Sequence, residues 1–599
     1  MCGLILHLES FNNNGEIKNL LSELNHRGPD EQTIIEWNHV SLGFCRLAIR
    51  EIDEGSQPFV NSNFISAING ELFNEKNLIE ELKNRGKINP KGDMKILASY
   101  LFEFGMDNLS KVDGQFAGLI IDKERAVVTI FRDRFGEKPL FYCITKDLVY
   151  VSSEISQKYL INLNKFSHVG LMRGFWMGKE FPFTELIEVE PATYIEIDLI
   201  SKIIIKKEHF GILKSRKIKK EYSEKNELAT LFERKMREII ESRCISDVPI
   251  SILLSGGIDS ALITALLPSQ IKKEITAFTL SITDSVYDES AQARKIADQL
   301  LVNHSIIKAS NESLAEKALE CVDAMDTPIL DPASLSLFYL CSEVKKDFKV
   351  SLTGDGGDEL FNGYTLQKEY KKLSFARNLH FAWIIKLYLF ASRHSPSNNQ
   401  YLSLRTKLER VLDVIQYREF SIPEVALSPF AGTALLKKIA EVIFDKKLKS
   451  EINVNITADE YYKNYVLPQL YLIKSDRMSM SNGLELRSPF LSFKLTDFLE
   501  NVPETIFKTE VCNKKLSRAI LSKYLTHDIL NAPKHGFSAP FHSIKKFLSE
   551  PEWNLEHINI DSKLASTIWN MNTENSGFAS WALFVLNRKI SQFSELLTN

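Results

Sequence analysis

The sequence has no CxxC pair, no low-complexity segment, no internal repeat and no marked excess of either charge. Its seven cysteines, at positions 2, 45, 143, 244, 321, 341 and 512, are scattered and odd in number. That pattern excludes a disulfide framework and a structural zinc site, and it suits a reducing, cytoplasmic setting. Basic and acidic residues number 74 and 77, for a net charge of -3, a balance that gives no support for a nucleic-acid-binding tail or a polybasic membrane patch. The most apolar stretch, HFAWIIKLYLFASRH from His380, is too short for a membrane span and carries Lys386; it reads as a buried or amphipathic helix. The N-terminus lacks the basic segment and long apolar run of a secretory signal. What is present, 599 residues with 44% apolar and 25% charged side chains, is the mix of a globular chain of several domains. Each domain is large enough to bury a core without staples.

Up to about residue 205 the pattern is one of short strands and turns. GLILHL (3–8), FAGLIID (116–122), AVVTIFR (126–132) and LVYVSS (148–153) are apolar runs separated by Gly, Asn and Asp clusters, with helical periodicity near 16–25, 75–85 and 93–104. This predicts an α+β domain over 1–205. Residues 206–226, KKEHFGILKSRKIKKEYSEKN, are basic and polar and read as a linker. An amphipathic helix over 226–244 follows. Strand and helix patterns then alternate: VPISILLS, a helix from Ala261, EITAFTLSI, a helix near 288–301, HSIIKAS, a helix near 311–325, and FKVSLTG. Such alternation predicts a doubly wound parallel sheet within a second domain, 227–599, that is helical from about 365 onward.

The chain begins Met-Cys-Gly. Removal of Met1 would leave Cys2 with an α-amine beside its thiol, a base next to a strong nucleophile. By itself a cysteine at position 2 means little. HRGPD (26–30), Arg46 in GFCRLAI, NGELFN (69–74), Gly92-Asp93 and RDRFGEKPLFY (132–142) follow it in order. Singly each is a turn or a surface charge. Together they make residues 2–200 resemble the class II, N-terminal-nucleophile glutamine amidotransferase domain. The resemblance implies a four-layer αββα fold and a glutaminase in which Cys2 attacks the glutamine amide and releases ammonia. It places Asn69 and Gly70 at the oxyanion, Arg46 on the substrate α-carboxylate, and Glu71 and Asp93 on the α-ammonium group. Met94-Lys95 departs from the Thr or Cys followed by Glu usual in that family.

SGGIDS (255–260) lies between an apolar strand and a helix, where glycines let the backbone approach a phosphate and the helix offers unpaired N–H groups. No Gly-Lys-Ser/Thr follows, so this is not a Walker A loop. Asp259 beside phosphates points to a divalent cation, for Mg²⁺ is commonly held by one or two carboxylates together with phosphates. A second acidic loop, LTGDGGDELFNGY (352–364), follows another apolar strand and lacks EF-hand spacing.

With DTPILDPASLSLFYL (326–340), LIKSDRMSMSNGLELRSPFL (472–491) and PKHGFSAP (533–540), residues 225 to about 545 resemble the ATP-pyrophosphatase, or PP-loop, half of the glutamine-hydrolysing asparagine synthetase family. The resemblance implies that Ser255, Gly256, Gly257, Asp259 and Ser260 hold pyrophosphate and Mg²⁺. Leu253, Leu280 and Gly354 would surround the adenosine, Asp358 would join Asp259 at the metal, and Lys534 would neutralise charge at the α-phosphate. Asp355 stands where Glu often serves as proton acceptor. Asn362 replaces a usual Gly and Ser492 a usual Asp, both expected near the acceptor.

The resemblance thus implies a bifunctional ligase. Glutamine supplies ammonia at Cys2, a sealed passage carries it onward, and ATP with Mg²⁺ activates an acceptor carboxylate, aspartate above all. A uronic acid of surface-polysaccharide synthesis is the alternative acceptor, and a glutaminase or binding protein with an inert synthetase half is the alternative class. A homodimer is the assembly considered, with no nucleic-acid or membrane partner.

Overall fold

Alternation along β1 (Cys2–Glu9) decides the layering of the N-terminal half. Leu4, Leu6 and Leu8 point into one buried cluster with Phe44, Ala67, Leu119 and Val151, while Ile5 points the other way, onto Leu20 and Leu21 of the helix Glu16–Glu23. Residues i and i+2 of a strand share a face, so one strand serves two cores. The computed structural model describes residues 2–9, 16–86, 91–156, 159–211, 225–283, 285, 288–378, 385, 404–445, 456–532 and 536–598. The apolar segment from His380 lies, apart from Ile385, outside the described residues.

The remaining strands of this half are β2 (Glu31–Trp37), β3 (Val40–Arg46), β4 (Phe59–Val60), β5 (Phe64–Leu72), β6 (Gly114–Asp122), β7 (Val127–Arg132), β8 (Phe141–Ile144), β9 (Leu148–Ser152), β10 (Ile187–Glu188), β11 (Thr193–Asp198) and β12 (Ile203–His209). They form two six-stranded sheets, ordered β10-β8-β9-β1-β3-β2 and β12-β11-β7-β6-β5-β4. Helices Glu75–Asn84 and Asp93–Phe104 cover the outer face of the second sheet through Leu78, Leu82, Leu97 and Leu101. This is the αββα sandwich that the sequence resemblance implied.

The expected linker from 206 begins too early. Lys206–His209 belong to β12, which pairs with β11 from Thr193↔His209 to Asp198↔Ile203. As an edge strand β12 is open to solvent over most of its length, Ile203, Ile204 and Ile205 included, so its polar end imitates a linker.

The helix Lys225–Arg243 leads into β13 (Ile250–Leu253), β14 (Thr276–Ile282), β15 (Asn303–Ala309), β16 (Val350–Leu352) and β17 (Glu485–Arg487), a parallel sheet ordered β15-β14-β13-β16-β17. The chain reverses its direction of growth between β13 and β16, where ligands of doubly wound sheets bind. The helix expected from Ala261 starts earlier, at Ile258, which puts Asp259 and Ser260 in its first turn. The helix expected over 311–325 is two, Asn311–Glu316 and Ala318–Asp323. β17 was not expected as a strand: Glu485 and Arg487 are charged, yet fully buried and paired to each other at 2.5 Å.

The buried apolar cluster outside the first sheet runs without a break into the second half. Tyr150 and Trp176 share it with Leu340 and Trp581, whose Nε1 donates to Ile329 O (3.1 Å). Among the described residues no helix is long and apolar enough to cross a membrane.

Candidate active site

β1 and β5 place Cys2 against Asn69: the Cys2 N–H donates to Asn69 Oδ1 at 2.8 Å. That bond turns the Asn69 amide so that its Nδ2, buried, has no partner of its own. A buried donor left open is costly unless something else takes it up, and a tetrahedral oxyanion is such a thing. Gly70 has room for no side chain, because a Cβ there would stand 2.2 Å from Gln115 O on the neighbouring β6. Burial pushes the Cys2 thiol up, while a hydrogen bond from the Leu47 backbone and the charge of Arg46 pull it down.

Arg46 is buried beside this centre, but its guanidinium is engaged by the protein itself, donating to Glu51 O (2.8 Å) and Ile52 O (3.0 Å) in the loop that follows and to Glu31 on β2 (3.3 Å). Glu71 and Asp93 do converge. The charge between them is Arg50, 3.5 Å from each and 2.7 Å from Glu75. No motif in the sequence marks Arg50. Burial raises the carboxyls of Glu71 and Asp93, and Arg50 opposes that rise at both. Lys95, the departure from the family pattern, faces outward, with its Nζ on Glu54 O (2.5 Å) and above the Phe59 ring.

At the second centre the loops after β13 and β16 meet. The Ser255 hydroxyl accepts from Gly257 N (3.1 Å) and lies 3.0 Å from that of Ser260. Gly256 completes this turn, and Leu253, Leu280 and Gly354 lie within two residues of the carboxyl ends of β13, β14 and β16. Gly357 has room for no side chain, since a Cβ there would approach Asp259 to 2.6 Å, and one at Gly354 would press on Asp259 at 3.2 Å. Asp259 and Asp358 converge on one cation, the ammonium of Lys514, 2.5 Å from each. Two carboxylates that already hold a cation between them fit Mg²⁺ as a donor pair. Lys534 lies outside the described residues.

Asp355 faces a small cavity of about 20 Å³, room for one water-sized molecule. Its walls come from both halves: Glu137 and Lys138 on one side, Asp355, Ser475, Leu486 and Ser488 on the other. Asp355 accepts from Ser475 Oγ (2.9 Å), and burial raises its carboxyl despite that bond. The neighbours of Leu486 reach back to the first centre, Arg487 lying 3.4 Å from Glu71.

Two residues expected near the acceptor have local structural roles. Ser492 caps the helix Phe493–Glu500, accepting from Lys494 N (3.2 Å), and donates to Asp113 (3.1 Å), which Arg243 grips from the other side. As a cap Ser serves as well as Asp, and its hydroxyl also donates to Asp113, which a carboxylate could not do. Asn362 has φ 51° and donates to Asp459 (2.8 Å). A left-handed position is where Asn stands in for Gly.

Two family models match the chain, asparagine synthase over residues 231–567 and the glutamine amidotransferase domain over residues 1–197. The chain belongs to the asparagine synthase family. Glutamine-hydrolysing asparagine synthetase 1 of Bacillus subtilis is 27% identical over 590 residues, covering 92% of this chain and 89% of that protein. Amidase chyE of Penicillium rubens is 24% identical over 621 residues, covering 94% and 89%. Among solved structures, the glutamine phosphoribosylpyrophosphate amidotransferase of B. subtilis aligns at 17% identity over 51% of this chain and 65% of that one, with a TM-score of 0.28.

Proposed function

We propose that the protein is a glutamine-dependent asparagine synthetase, taking aspartate as acceptor and ATP as the source of activation. The observation that carries this reading is the Asp355 cavity, walled by both halves and sized for ammonia. Cys2 Sγ attacks the glutamine amide carbon, and the oxygen turned negative is met by Asn69 Nδ2 and the Gly70 N–H. Ammonia leaves, and water hydrolyses the thioester to glutamate.

At the second centre an aspartate carboxylate oxygen attacks the α-phosphorus of ATP and pyrophosphate departs. Ser255, Gly256, Gly257 and Ser260 offer hydroxyls and backbone donors to the departing phosphates. Mg²⁺, held by Asp259 and Asp358, would supply charge neutralisation there. Ammonia then attacks the acyl carbon, AMP leaves, and Asp355 takes the surplus proton; its burial raises the basicity this requires. The local roles of Asn362 and Ser492, a left-handed turn and a helix cap, account for both departures without a different acceptor.

The test is to supply purified protein with amide-labelled glutamine, aspartate, ATP and Mg²⁺. Labelled asparagine and AMP in equal amounts are expected. AMP release that demands a different carboxylate would overturn the choice of acceptor, and no AMP with any carboxylate would overturn the ligase.

A further inference from the structure

The Lys514 ammonium occupies the point on which Asp259 and Asp358 converge. Its position is built. Asn513 and Lys514 are consecutive non-glycine residues with left-handed backbone, φ 61° and 62°, and Asn513 N is tied to Phe361 O at 2.8 Å. Such conformations persist where the surroundings impose them. Gly363 makes room for the cluster: a Cβ there would stand 2.0 Å from Asp358 Oδ1 and 2.9 Å from Lys514 Cε. Burial would depress the ammonium, but the two aspartates outweigh it and hold the charge in place. A lysine and a divalent cation cannot share this space, because like charges at contact repel strongly in a buried setting.

We propose that Lys514 is the resident counter-cation of this centre in the nucleotide-free protein, keeping a divalent cation out until a nucleotide polyphosphate arrives. The inference rests on the reading of Asp259 and Asp358 as a metal–nucleotide site. Without nucleotide, displacing the ammonium leaves a buried charge unpaired, which opposes metal entry. With polyphosphate present the ammonium gains an anionic partner a short swing away, and the carboxylates become available. Metal and nucleotide therefore bind with positive coupling, and each raises the affinity of the other by the same factor. The sequence around it, NKKLSR, carried no motif that singled Lys514 out.

Binding of Mn²⁺ to the full chain, followed by electron paramagnetic resonance with and without a non-hydrolysable ATP analogue, tests this without turnover. Wild type is expected to take up Mn²⁺ only with the analogue. Lys514→Met is expected to bind Mn²⁺ alone at least about tenfold more tightly than wild type does, since the competing charge is gone. Its thermal midpoint should rise with Mn²⁺, and that of wild type should not. Equal binding of Mn²⁺ alone by both proteins overturns the inference while leaving the metal site intact. No Mn²⁺ in either protein with the analogue overturns the metal–nucleotide reading, and the inference with it. If Lys514→Met does not fold, wild type decides: Mn²⁺ held as tightly without the analogue as with it overturns the proposal.

Discussion

Arg27 and Asp476 meet as a two-pronged ion pair, Nη1 to Oδ2 at 2.8 Å and Nη2 to Oδ1 at 2.9 Å, across the boundary between the two halves. The Nε of the same guanidinium donates to Cys2 O (3.1 Å), and Asp476 lines the Asp355 cavity. Asp476 also accepts from Arg477 (2.9 Å), which chelates Asp326 (2.7 and 2.6 Å), and Asp326 accepts from Ile155 N (2.9 Å). A continuous chain of buried charge therefore ties the nucleophile's backbone to the wall of the second centre.

Arg27→Met leaves Asp476 without its largest charge partner, and breaking one side of a buried pair costs about 3–5 kcal/mol. A lower thermal midpoint is expected, together with more glutamate formed per AMP, as ammonia escapes a loosened boundary. A variant with unchanged stability and unchanged glutamate-to-AMP ratio would show that the pair couples nothing.

Asn69→Ala removes an oxyanion donor and should cut glutaminase kcat by about 10²–10³ with a small change in KM. Steady-state glutamate release measures both. A large KM effect with kcat preserved would assign Asn69 to binding instead. Gly70→Ala should be worse, since its Cβ has no space beside Gln115 O.

Cys2→Ala is expected to abolish glutamine use while ammonium salts still support AMP formation. Asp259→Asn should do the reverse, losing AMP formation and keeping glutamine hydrolysis. The two variants assayed side by side separate the centres. If Cys2→Ala also loses the ammonia-dependent reaction, the division of labour is wrong.

Lys589 is fully buried in the helix Glu574–Thr598, and burial brings its ammonium down from an ordinary 10.5 to about 8. A depressed folded value contributes stability that is fully present above pH 10.5 and lost as pH falls through 8. At neutral pH the charged side chain therefore opposes folding, by up to about 3 kcal/mol. Lys589→Met should raise the thermal midpoint at pH 7, with the gain shrinking between pH 8 and 10.5. A gain independent of pH would place its origin in packing.

Most of the fold was legible because its strands alternate or run apolar between turn residues, as β1, β6, β7 and β9 do. β17 was not, since a strand of buried paired charges has no hydrophobic signature, and β12 was mistaken in part for a linker because it lies open to solvent. The loops after β13 and β16 were found because glycines and aspartates at strand ends are local signals. Arg50, Lys514 and Asp476 were not, because their roles depend on partners far along the chain; Lys514 and Asp259 are 255 residues apart. Ser492 and Asn362 follow a related rule: a sequence reveals that a residue is unusual, but the cap or turn that makes it ordinary exists only in three dimensions.

The unbroken apolar cluster from Tyr150 and Trp176 to Trp581 has a practical consequence for handling the molecule. Were the polypeptide severed between the two halves, they would still share that buried apolar surface. The two fragments should travel as one species through a sizing column in plain buffer and part in denaturant. Either half made alone would turn to water a face meant for its neighbour, and should be recovered as aggregate unless the other is made beside it.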